Sequence, residues 1–116
     1  MCGIFAFLNN NFNEQITYSI FMKGVNRGPD ISKFIYNWKK NMKLTVGFHR
    51  LAINGYNDHS SDQPFYIDGC VLICNGEIYN WKKIYKMLNI TPTTKSDCEV
   101  IIHLYKKYGI EYTLKM

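Results

Sequence analysis

The sequence predicts an α+β fold with antiparallel strand pairing, and three observations carry that expectation. Two β-rich runs, "ISKFIYNW" and "KLTVGFHRLAI", are separated by the polar turn "KKNM". A second pair, "PFYI" and "CVLIC", is separated by Asp68-Gly69, a hairpin signal. Helical spacing of apolar residues is confined to other stretches, before the first pair and after the second. At 116 residues the chain suits one domain with one core, and no linker, repeat or low-complexity tract divides it.

Taken in order, Ile4 to Leu8 reads as a buried strand bounded by the turn signal Asn9-Asn10-Asn11. From Asn13 the spacing of Ile16, Ile20, Phe21, Gly24 and Val25 predicts a helix. It stops at "NRGPD", because Pro29 disfavours helical backbone at Gly28. After the first strand pair comes a looser stretch, "NGYNDHSSDQ", and then the hairpin. "NGEIYNWKKIYKML" passes from a tight Asn-Gly turn into a second helix. Beyond "NITPTTK", Ser96-Asp97-Cys98-Glu99 has the form of a capping box, with Ser96 as N-cap. It opens a third helix through Val100, Ile101, Leu104, Tyr105 and Tyr108, which Gly109 is placed to end.

Fourteen Lys and Arg against nine Asp and Glu give a net charge of +5, but the lysines fall in short pairs spread along the chain. A solvated basic surface follows, not the clustered stripe of a nucleic-acid binder. The apolar start has no basic segment before it and no cleavage pattern after it, and no run approaches the about 20 apolar residues of a membrane helix. A soluble, cytoplasmic protein is expected. Cys2, Cys70, Cys74 and Cys98 lack zinc-like pairing, and alternation puts Cys70 and Cys74 on one strand face. Free thiols in a reducing compartment fit this usage. Neither a metal nor a cofactor is expected, and His59 and His103 have no ligand constellation around them.

The opening "MCGIFAFL" carries the chemistry. Removal of Met1 would leave Cys2 with both a thiol and a free α-amine, groups that ordinarily titrate at about 8.5 and about 8. The amine can then take the thiol proton directly or through water, so nucleophile and base sit in one residue. Gly3 would let the backbone pass close to a ligand. A cysteine that merely begins a strand is the ordinary alternative, and position alone leaves both open.

In chain order, "MCGIF", "RGPD", "GFHRLAI", "NGEIYN" and "SDCE" resemble the glutamine amidotransferases that use an N-terminal cysteine, and among these the asparagine synthetases. The resemblance spans nearly the whole chain, and its ending, "GIEYTLKM", looks like the next helix of that family. It implies that Cys2 attacks the side-chain amide of L-glutamine, forming a thioester and releasing ammonia. It implies an oxyanion hole from the Asn75 side-chain amide and the Gly76 N–H. Arg50 would hold the substrate α-carboxylate through its forked donors, with backbone contacts from Leu51, Ala52, Ile53 and Asn54. Glu77 and Asp97 would bind the α-ammonium group. Singly, each of these residues has an ordinary alternative: a turn for Asn75-Gly76, surface charges for Arg50 and Glu77, a helix-dipole partner for Asp97. Arg27 and Asp30 are expected to order the loop near the nucleophile. His49 falls on the opposite strand face from Arg50 and is left out of the chemistry.

The fold implied by the resemblance is of the N-terminal-nucleophile hydrolase type, antiparallel sheets sandwiched by helices in an αββα arrangement. Residues 1–116 would supply only the first half of that domain, a partial type 2 glutamine amidotransferase domain without a synthetase domain. Exposed strand edges then lead to the expectation of self-association or of a synthetase or complementing chain as partner. Two functions follow from the motifs: glutamine hydrolysis, or a remnant that binds glutamine or a synthetase partner without turnover.

Overall fold

The computed structural model describes residues 1–38, 41–52 and 57–116. They form two antiparallel sheets and four helices. β1 (Gly3–Phe7), β3 (Thr45–Arg50) and β2 (Ile31–Ile35) make a three-stranded sheet in the order β1-β3-β2. β4 (Phe65–Ile67) and β5 (Cys70–Leu72) make a hairpin. The mixed helix and antiparallel-sheet architecture agrees with the α+β expectation.

In the first sheet, β3 is central and every residue from Thr45 to Arg50 is buried. Its register pairs Gly3 with His49 and Ile31 with Arg50, so the start of β1 and the start of β2 meet the end of β3. This pairing sets Cys2 beside the Arg50–Leu51 backbone. The predicted turn at 39–42 lies partly outside the described residues.

β1 departs from the buried strand expected. Ile4 is 54% exposed and Leu8 56%, whereas Phe5 packs edge-on to Phe21 at 5.7 Å. Helix α1 (Glu14–Met22) covers only the face that carries Phe5, so the alternate residues stay in solvent. The buried face of α1 also differs from the apolar spacing. Thr17 and Phe21 are its buried residues, while Ile16 and Ile20 are exposed. Thr17 is drawn in by polar pairing: its hydroxyl donates to Asn13 O at 2.8 Å and accepts from Asn10 Nδ2 at 2.7 Å. Asn13 caps the helix by accepting from Ile16 N at 2.9 Å.

His49 lies in this core. Its ring stacks on Phe21 with centroids 3.9 Å apart and planes 8° from parallel. Nε2 donates to Phe21 O at 2.9 Å, so Nδ1 accepts from the Ser32 hydroxyl at 2.7 Å. Both ring nitrogens serve the fold.

The hairpin forms as its Asp-Gly signal requires, with φ of 50° at Asp68 and 79° at Gly69. Ile67, Cys70, Leu72 and Cys74 pack with Phe65, Cys98 and Ile102, so Cys70 and Cys74 do share a face. Helix α2 (Trp81–Leu88) and helix α3 (Val100–Tyr108) meet through Ile84, Tyr85, Leu88, Val100 and Leu104. Gly109, at φ 81°, ends α3 and leads into α4 (Ile110–Lys115).

The capping box forms only in part. Ser96 Oγ accepts from Cys98 N at 3.2 Å, but Glu99 does not reach back to Ser96. Its carboxylate is fully buried and accepts from Thr93 N at 2.9 Å, from the Thr93 hydroxyl at 3.0 Å and from Thr94 N at 2.5 Å. Ser96 N donates instead to Thr94 Oγ1. A turn of 3₁₀ helix, Asp97–Glu99, precedes α3 and rotates Glu99 toward the 93–94 loop.

Candidate active site

A cavity of about 500 Å³ opens at the Arg50 end of β3, facing the segment that follows β5, and is within the usual size of a small-molecule site. Cys2, Arg50, Leu51, Asn75, Gly76, Glu77 and Asp97 all line it. The strands bring Cys2 and Arg50–Leu51 together on one wall; the segment after β5 and the start of the 97–99 turn form the other. Ala52 does not line the cavity, and Ile53 and Asn54 lie outside the described residues.

On the strand wall, Cys2 Sγ accepts from Leu51 N at 3.3 Å and lies 3.7 Å from Leu51 O. Arg50 is 6% exposed; its Nη1 donates to Asp62 Oδ1 at 2.7 Å and to Asp58 O at 3.0 Å. Asp62 also meets Lys33 at 3.3 Å and His59 at 3.0 Å. Burial works against ionisation of Asp62, but His59, Arg50 and Lys33 outweigh it and hold the carboxyl below its ordinary range.

The "RGPD" loop braces this wall from behind. Asp30 Oδ2 accepts from Ala52 N at 2.7 Å and Asp30 N donates to Arg50 O at 3.1 Å. A side chain at Gly28 would meet His49 O at 2.1 Å, so only glycine permits the approach. Gly3 is likewise packed against protein: a Cβ there would lie 3.1 Å from Arg27 Cβ and 3.3 Å from His49.

On the loop wall, Asn75, Gly76 and Glu77 are exposed, while Asp97 is half-buried and its Oδ2 accepts from Ile78 N at 2.5 Å. Asp97 therefore anchors the segment that carries Asn75 and Gly76, a role its helix position did not announce. The Glu77 carboxylate raises the exposed Tyr79 phenol above its ordinary value. Cys74 and Cys98 both line the cavity, and Cys98 Sγ donates to Gly76 O at 3.5 Å. The two neighbouring thiols shift one another: the proximity of Cys98 lowers the Cys74 thiol below its ordinary value, while Cys74 and burial push the Cys98 thiol up.

Two cavity-wall supports had no sequence signal. Asp62 and Gln63 sit in a polar loop before Pro64, where their types suggest only solvent, yet both are buried. All four cysteines are free. Among the described residues no cluster suits a metal ion, and no helix is long and apolar enough to cross a membrane.

Cys2, Arg50, Asn75, Gly76, Glu77 and Asp97 thus surround a single cavity. The whole chain, residues 1–116, matches the glutamine amidotransferase domain family, and the protein belongs to that family. Among its relatives are the glutamine-hydrolyzing asparagine synthetases of Homo sapiens, at 37% identity, and of Bos taurus, also at 37%. That of Gallus gallus is 35% identical. Each alignment covers 100% of this chain but 21% of the relative, so the chain spans about a fifth of their length.

Proposed function

We propose that the cavity binds L-glutamine and hydrolyses its side-chain amide to glutamate and ammonia. The observation that carries this reading is the convergence of Cys2, Arg50, Asn75-Gly76, Glu77 and Asp97, distant in sequence, on one cavity. Met1 is 76% exposed and so accessible for removal. With it gone, the Cys2 α-amine takes the thiol proton as Sγ attacks the amide carbonyl. The Asn75 side chain and Gly76 N–H stabilise the oxyanion. The proton passes to the leaving nitrogen, ammonia departs, and water attacks the thioester to release glutamate and restore the thiol. Arg50 holds the α-carboxylate; Glu77 and Asp97 hold the α-ammonium group. On this reading the two sheets are part of an αββα sandwich of the N-terminal-nucleophile hydrolase type, residues 1–116 are a portion of that domain, and the protein works in the cytoplasm.

Incubation of Met1-processed protein with glutamine tests the proposal, with glutamate and ammonia measured against Cys2→Ala. Turnover that depends on Cys2 is expected; equal rates would sink the reading.

A further inference from the structure

Gln63 makes a contact that no part of the proposed reaction uses. Its side chain is buried, at 5% residue exposure, and its amide spans the backbone of Cys74, the residue immediately before Asn75. Oε1 accepts from Cys74 N at 2.5 Å and Nε2 donates to Cys74 O at 3.1 Å. This two-point bond copies the pairing a neighbouring strand would supply, at the place where β5 has ended at Leu72 and the ladder with β4 is over. Both Gln63 and Cys74 line the cavity.

We infer that Gln63 is the positioning residue for the Asn75-Gly76 donors of the oxyanion hole; the inference rests on the glutaminase reading above. An oxyanion donor works only if it is fixed where charge develops before the reaction begins. Asn75 and Gly76 are exposed and belong to no strand or helix, so regular hydrogen bonding does not fix them. From one side Asp97 holds Ile78 N, and from the other Gln63 holds both polar groups of Cys74. The donor pair lies between these two anchors. A bidentate amide is suited to this task because it fixes the rotation of the Cys74 peptide units as well as their distance, and burial denies water the same bonds.

Gln63 touches neither Cys2 nor a substrate carboxylate in this scheme, so its loss should act on the chemical step and spare binding. A misplacement of about 1 Å can cost on the order of a hundredfold in rate. The test uses the full chain, Met1-processed, with Gln63→Leu, which removes both bonds, and Gln63→Glu, which keeps only the acceptor for Cys74 N. Glutamine kinetics are measured together with the rate of Cys2 alkylation by iodoacetamide and the hydrogen exchange of the Cys74 and Gly76 amides. Expected are a kcat lower by about tenfold to a hundredfold in Gln63→Leu and by less in Gln63→Glu. KM should stay within about twofold, since uniform binding is untouched. Alkylation should be unchanged, and amide exchange faster at Cys74 and Gly76. A parent-like kcat with faster exchange, or an effect confined to KM, would overturn the inference while leaving the glutaminase reading intact. Loss of fold in both variants would also overturn it, by making Gln63 a core support. Absence of Cys2-dependent ammonia from the parent protein would remove the glutaminase reading and the inference together.

Discussion

The two walls of the cavity are built on different principles. The strand wall holds Cys2 and Arg50 by sheet register: β3 is buried along its whole length, and the pairing of Gly3 with His49 and Ile31 with Arg50 fixes both positions. The loop wall has no ladder beyond Leu72. There, side chains stand in for strands: buried Gln63 on Cys74, half-buried Asp97 on Ile78, and buried Glu99 on Thr93 and Thr94. A ladder distributes its support over many backbone bonds, whereas the loop wall concentrates it in a few side chains. Single substitutions should therefore damage the loop wall more than the strand wall.

The largest effect is expected at Glu99, which bears the heaviest share of that concentrated support. Burial works to raise its carboxyl, but the Thr93 and Thr94 donors and His103 prevail and hold it at about 2. Its folded value is depressed, so its contribution is fully present above the unfolded value of 4.5 and lost as pH falls toward about 2. The contribution is on the order of 3 kcal/mol. Glu99→Gln should lower the melting temperature by on the order of 10 °C at neutral pH. The gap between variant and parent should close as melts are run from pH 5 down to pH 2. A gap independent of pH would mean that packing, not the carboxylate, holds the 93–94 loop.

Next in size is Arg50→Lys, on the strand wall. Lysine keeps the charge but cannot bond Asp58 O and Asp62 together while also presenting a fork to a carboxylate. A hydrogen bond to a charged group contributes roughly 1.5 to 3 kcal/mol, so glutamine affinity by calorimetry should fall about tenfold or more. The melt should shift less than in Glu99→Gln, because the β3 ladder persists. A larger shift than in Glu99→Gln would reverse the contrast between the walls.

The sequence made the strand wall legible and the loop wall much less so. Strand runs, the Asp-Gly hairpin and the alternation that separates His49 from Arg50 are local patterns, and local patterns survive into the fold. Gln63, Asp62 and Glu99 act across 5 to 12 residues through buried polar bonds. Nothing in a polar residue's type shows that it will be buried with its partners satisfied. The exposure of Ile4 and Leu8 is illegible for the converse reason: apolar residues predict a covering element, and within the described residues Ile4, Leu8, Ile16 and Ile20 have only partial cover.

Asp97→Asn separates anchoring from recognition on the loop wall. The asparagine carbonyl can still accept from Ile78 N, so the segment should stay in place and the melt should move by less than about 0.5 kcal/mol equivalent. The charge offered to an α-ammonium group is gone, and glutamine should bind about tenfold more weakly. A ligand lacking the α-amine should bind parent and variant alike. Equal loss for both ligands would assign Asp97 to anchoring alone.

The smallest effect is expected for Lys33→Ala, and it sets the lower bound of the comparison. Lys33 meets Asp62 at 3.3 Å, as Arg50 does at 2.7 Å, but its side chain is 44% exposed against 8% for Arg50. In solvent the pair is screened and ordering a long side chain cancels much of the attraction, so such contacts contribute about 0 to 1 kcal/mol. Asp62 keeps its bonds to Arg50 and His59 in the variant, which leaves no buried charge unpaired. Stability by denaturant titration should change by less than about 0.5 kcal/mol, and glutamine affinity by less than about twofold. A change as large as that of Arg50→Lys would show that Asp62 needs all three of its partners to hold the guanidinium in place, and the strand wall would then depend on a side-chain network as the loop wall does.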